Sequence, residues 1–153
     1  MKKLISMLIM AFTLSSSFAQ QNLASGGGGG CTTDCFFTDC TIRCPAGSMP
    51  KCYCIIGTFG SCKCVEMIGS LTSPALDSDV LPALKNEDKL QLVINFISSR
   101  GYKDFLAQFY LLRDALMSRN LENYNKGFKA LYDIVGKSPN EATQIYDYVN
   151  SLR

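Results

Sequence analysis

The chain has no His and no Trp, and only 18% of its 153 residues are charged. Without His it lacks both the commonest general base and the commonest zinc ligand. A Cys nucleophile would have no imidazole to activate it. Gly57-Thr58-Phe59-Gly60-Ser61 also lacks the G-x-S-x-G order of a nucleophile elbow. The length accommodates one domain or two small ones, and no large catalytic core. Together these absences argue against an enzyme.

Only one apolar run is long, Leu4 to Leu14, interrupted by Ser6 and Thr13. It follows Met1-Lys2-Lys3 and precedes Ser15-Ser16-Ser17-Phe18-Ala19, with small residues at −3 and −1 of a cut after Ala19. That is the layout of a cleavable signal peptide over 1–19, short enough to suggest a bacterial one. It is too short for a spanning helix, which needs about 20 apolar residues. Removing Lys2 and Lys3 lowers the 15 basic residues to 13, which balances 13 acidic ones. A mature chain without net charge offers no basic surface for nucleic acid. We expect a secreted or periplasmic protein with no stable membrane insertion and an unidentified protein or cell-surface partner.

Residues 20–30 end in five consecutive Gly and read as a flexible tether. No strand precedes them, so they are not a dinucleotide-binding turn. Two other motifs fail on inspection. Gly136-Lys137-Ser138 imitates a phosphate loop, but Leu131 stands where the earlier Gly is required. Asp77-Ser78-Asp79 imitates a calcium loop, but Pro82 replaces the obligatory Gly.

All eight cysteines lie in residues 31–66: Cys31, Cys35, Cys40, Cys44, Cys52, Cys54, Cys62 and Cys64. In an exported chain an even, dense set reads as a disulfide framework, and eight cysteines permit 105 pairings. The two C-x-C pairs are mirror-related about Thr58, with Gly57 and Gly60 between them, as in a β-hairpin. Strand alternation then puts those four cysteines on one face and Tyr53 and Lys63 on the other. Upstream, Cys31/Cys35 and Cys40/Cys44 have the spacing of neighbours on a helix, but the two pairs are about half a turn out of phase. Either two turns break near Phe36-Phe37-Thr38, or one helical turn covers Cys40–Cys44 after a looser segment. A segment of about 35 residues cannot fold on apolar burial alone and needs its bridges.

The C-x3-C at Cys40/Cys44, the Gly60-Ser61-Cys62 triplet and the terminal C-x-C resemble the defensin-like cysteine-stabilised helix and hairpin. The resemblance spans residues 31–66. A second C-x-C at Cys52/Cys54 and a long C-terminal extension depart from that pattern.

Residues 67–85 read as a linker and residues 86–153 as a helical domain. Apolar stripes predict four helices, from Glu87, Tyr102, Leu121 and Ser138-Pro139, with stops at Gly101 and Gly136. Short links imply an all-α four-helix bundle behind the small disulfide-rich module. Tyr102, Tyr110, Tyr132, Tyr146 and Tyr148 exceed what a minimal core needs and suggest an aromatic rim.

The leading expectation is a non-enzymatic exported binding or structural protein without cofactor or bound metal. Tyr53, Thr58 and Phe59 are its candidate contacts, although packing against the helices would also explain them. The alternatives are a secreted toxin or antimicrobial peptide with a helical accessory region, and a thiolate metal-binding protein. The toxin class favours a basic module, whereas Arg43, Lys51 and Lys63 stand against Asp34 and Asp39. Full pairing predicts that the denatured, unreduced protein takes up no thiol reagent by mass spectrometry and binds it at every cysteine after reduction. Free thiols throughout the native protein would refute the framework.

Overall fold

The structure, a computed structural model, describes residues 29–66 and 76–153. The expected signal over 1–19, residues 20–28 of the tether and residues 67–75 of the linker lie outside the described residues. The described chain forms five strands and then four helices: β1 (Gly30–Asp34), β2 (Thr38–Arg43), β3 (Ser48–Ile55), β4 (Phe59–Glu66), β5 (Ala83–Leu84), α1 (Glu87–Arg100), α2 (Lys103–Met117), α3 (Leu121–Lys137) and α4 (Pro139–Ser151).

The expected helical turn at Cys40–Cys44 is strand instead. β1 and β2 pair antiparallel, and β5 joins the far side of β2. Thr38, Cys40 and Ile42 point inward while Asp39, Thr41 and Arg43 point out, a period of two. The reason lies in a degeneracy of spacing: residues four apart share a face after one helical turn and also after two strand repeats. Thr38, Thr41 and Ile42 are β-branched, which favours the extended solution. Gly30, expected at the end of the tether, is the first residue of β1. A Cβ there would stand 3.0 Å from the Ile42 carbonyl oxygen.

The expected second hairpin is present, with β3 antiparallel to β4. Its pairing is centred on Gly57, not Thr58, so Cys52 faces Cys62, Cys54 faces Gly60 and Pro50 faces Cys64. Ile56 (φ 41°) and Gly57 (φ 69°) both take the left-handed conformation, and the Thr58 amide donates to the Ile55 carbonyl at 2.8 Å. Positive φ at both central residues suits the twist of a tight hairpin. The shift preserves parity, so all four cysteines share one face as expected.

That face meets β1 and β2. Four disulfides cross the interface: Cys31–Cys52, Cys35–Cys54, Cys40–Cys62 and Cys44–Cys64, with no free cysteine. β3 is thus bridged to Cys31 of β1 and to Cys35 just after it, and β4 to Cys40 of β2 and to Cys44 just after it. Each bridge closes a loop of 19 to 22 residues. On the chain-entropy argument, each stabilises the fold by about 3 kcal/mol.

The opposite face of the β3–β4 hairpin meets the helices. Tyr53 meets Phe128 edge-on at 5.5 Å, and Phe59 lies 5.2 Å from Phe109. Phe36 and Phe37 arrive from the β1–β2 loop, whose amides bond the carbonyls of Gly57 and Thr58. One continuous core therefore joins Phe36, Phe37, Ile55 and Phe59 to residues such as Leu90, Ile94, Phe105, Phe109, Phe128 and Leu131 of the helices. α2 and α3 approach closely at Gly127, where a Cβ would sit 3.2 to 3.3 Å from Leu111 and Leu112.

Gly101 (φ 74°) ends α1 as the sequence implies. Gly136 does not stop α3, which continues to Lys137. Ser138 precedes α4 without a side-chain capping bond, whereas Asn120 caps α3 by accepting from the Asn123 amide at 2.9 Å. A shared core predicts one unfolding transition. Phe59→Ala should cost about 3–5 kcal/mol in urea denaturation. It should lower the helical circular dichroism and near-ultraviolet tyrosine transitions together. Two separable transitions would contradict this.

Candidate functional site

The eight expected cysteines form a covalent layer between the two hairpins. Cys35, Cys40, Cys44 and Cys62 are buried, whereas Cys31, Cys52, Cys54 and Cys64 are partly exposed. The Thr33 hydroxyl lies 3.3 Å from the Cys35 sulfur and 3.0 Å from that of Cys54. Bonding every cysteine sulfur removes thiolates from the chemistry available to the protein. Among the described residues, no group of three or more His, Cys, Asp or Glu is arranged to hold a metal ion.

Of the contact candidates, Thr58 and Phe59 pack inside, the alternative their sequence allowed. Thr58 and Phe59 are fully buried. The Thr58 hydroxyl donates to the Ile55 carbonyl at 2.8 Å, closing the turn. Phe59 packs between Phe37 and Phe109. Neither presents surface, because the hairpin tip is turned into the helices. Tyr53 lies on the face opposite the cysteines, as expected, but α3 covers that face. Tyr53 is half-buried, and its hydroxyl is enclosed without a hydrogen-bond partner.

Several residues of this region escaped the sequence reading. Thr38, fully buried, accepts from the Gly60 amide at 2.7 Å, and Tyr124 donates its hydroxyl to the Gly60 carbonyl at 2.7 Å. Gly60 is therefore held from both sheet and helix. A Cβ there would stand 3.0 Å from the Cys35 sulfur and from Thr33. Ser78 accepts from the Cys62 amide at 3.0 Å, and the Asp79 amide donates to the Cys62 carbonyl at 2.9 Å. Asn125 of α3 bonds both the amide and the carbonyl of Ser78. The Asp77-Ser78-Asp79 motif thus covers the outer edge of β4, and Asp77 pairs with Lys129 at 3.1 Å. Short polar side chains that mimic backbone partners were the available signal.

The surface of the described residues includes two open depressions. One, of about 490 Å³, lies between α1 and α2 and is lined by Glu87, Asp88, Gln91, Arg113, Asp114 and Met117. Arg113 is already held by Asp114 at 2.9 Å and stacks over Tyr110. The other, of about 300 Å³, lies on the outer sheet near Thr32, Asp39 and Thr41. Of the expected aromatic rim, Tyr110, Tyr132 and Tyr146 are 38 to 42% exposed. Tyr102 and Tyr148 are half-buried, with Tyr148 stacked on Phe96. The chain matches no protein-family model, no curated protein and no solved structure in the comparisons made with each.

Burial holds the Tyr53 phenol well above its ordinary value of 10.0, with a smaller push from Tyr132. Burial does the same at Tyr124, opposed by a hydrogen bond with Thr38 and reinforced by Tyr53. The fold therefore favours the neutral phenols. Their contribution is intact below the unfolded value and is lost as pH rises beyond it. In an alkaline titration, phenolate absorbance from these two rings should appear together with loss of helical signal. Its appearance in a fully helical protein would refute the coupling. Tyr124→Phe should cost about 1–3 kcal/mol by orphaning the Gly60 carbonyl, whereas Tyr53→Phe should cost nothing measurable.

Proposed function

We propose that this protein is an exported binding or structural protein that acts by recognition, not catalysis. Four intramolecular disulfides are the covalent signature of folding in an oxidising compartment. No helix among the described residues is long and apolar enough to cross a membrane. The signal-like start supports secretion or periplasmic delivery, with the helices acting as a small bundle behind the disulfide module. Consumption of every thiol, added to the missing His, supports a role without covalent chemistry.

The observation that carries the reading is the distribution of tyrosine. The hairpin aromatics are internal, while Tyr132 on α3 and Tyr146 on α4 remain exposed beside the hairpin. The Tyr146 ring lies against Gly57 at the tip, where a Cβ would be 3.3 Å from it. Tyr132 is near enough to Tyr53 to disfavour its ionisation. Tyrosines on a rigid frame bring contact area and a hydroxyl at low entropic cost, which suits an interface. Disulfides keep that frame rigid.

Photo-crosslinking from exposed positions 136 and 143, one helical turn from Tyr132 and Tyr146, in cells that export the protein tests the reading. A discrete adduct should form, and Tyr132→Ser/Tyr146→Ser should reduce capture at least tenfold while leaving the melting temperature within a few degrees. Undiminished capture by that variant would remove the rim as the contact surface.

A further inference from the structure

All four bridges skip over other cysteines. Numbered along the chain, the first pairs with the fifth, the second with the sixth, the third with the seventh and the fourth with the eighth. No cysteine is bonded to its neighbour in sequence. Yet neighbours meet first. Closing the loop between Cys31 and Cys35, or between Cys40 and Cys44, is favoured over a native loop of about 20 residues by roughly an order of magnitude on chain entropy alone. Local structure adds a competitor, because Cys52 and Cys62 face each other directly across β3 and β4. Their sulfurs lie 3.0 Å apart, although each is bonded to a different strand of the other sheet.

The native pairs become neighbours only when β1–β2 lies face to face on β3–β4. That stacking is itself held by the bridges. Its outer apolar support is the core shared with the helices, in which Phe37 and Phe59 both contact Phe109. Helices of 13 to 17 residues are marginal without such packing. Sequential oxidation therefore meets a chain with little structure to direct it.

We propose that this protein is an obligate client of thiol–disulfide isomerisation: oxidation alone gives misbridged chains, and a thiol catalyst must reshuffle them before the helices fold. Oxidation joins two thiols per bridge. Each pair gives up two electrons and two protons to a disulfide oxidant, which is reduced to its dithiol form. Isomerisation then needs no net oxidant. A catalyst thiolate attacks one sulfur of a wrong bridge, forming a mixed disulfide and releasing the other cysteine as a thiolate. That thiolate attacks the next wrong bridge, and the last one freed displaces the catalyst.

Refolding the full chain tests this. Reduced, denatured protein is diluted into diamide, an oxidant that joins thiols without releasing a thiol, and thiol loss, bridge connectivity and helical circular dichroism are followed. Thiols should disappear with less than a tenth of the chains carrying the four native bridges, and helical signal should stay low. Adding reduced glutathione or a protein dithiol isomerase should then raise the native yield at least tenfold, with helical signal rising in step. Direct formation of the native bridges at the rate of thiol loss would overturn the proposal. So would misbridged chains with full native helicity, or misbridged chains that neither agent rescues.

Discussion

Two short β-ribbons have no stability of their own in water, and here the four bonds between them hold them together. Every disulfide runs from the first ribbon, at β1, β2 or the residue that follows each, to β3 or β4, and none lies within a hairpin. The interface between the ribbons has little apolar side chain to contribute: cysteines, Ile42 and Val80 make up its cluster. Sulfur takes the place of a hydrocarbon core. Gly60 shows how tight the result is, since the space a side chain would need is occupied by Cys35 and Thr33.

Once the ribbons are stacked, the far face of the second one becomes an apolar platform. Tyr53 and Phe59 project from it, Phe36 and Phe37 join them from the first turn, and the helices settle on that surface. Polar contacts fix the orientation: Tyr124 to the Gly60 carbonyl, Asn125 to Ser78 and the Asn86 amide group to the Phe36 carbonyl at 2.7 Å. Lys89 and Arg153 both stand over the Phe36 ring. A cysteine-rich segment and a helical segment of contrasting composition therefore share one interior. The helical half depends on the covalent half for its buried face.

Much of this organisation was legible in the residues. The even cysteine count, the hairpin with its four cysteines on one face, and the helices from their apolar stripes all follow from local periodicity. The first cysteine pairs were misread because a spacing of four fits a helical turn and two strand repeats equally well. For Thr58 and Phe59 the sequence left surface contact and packing against the helices both open, because a hairpin loop is exposed by default and nothing local reveals that this one is covered. Tyr124 and Ser78 were invisible as partners of the sheet. Their bonds to Gly60 and Cys62 span 64 and 16 residues.

The sequence by itself determined where the second hairpin and the four helices form, which face of that hairpin holds sulfur, and that thiol chemistry is spent on structure. Such features depend on residues a few positions apart, whose periodicity is written directly in the chain. Tertiary structure alone decided which of the 105 pairings forms, which aromatics are internal and which tyrosines remain at the surface. A disulfide requires two sulfurs to meet across separate strands. Exposure depends on what lies above a residue, and in this protein that cover comes from helices folded far along the chain.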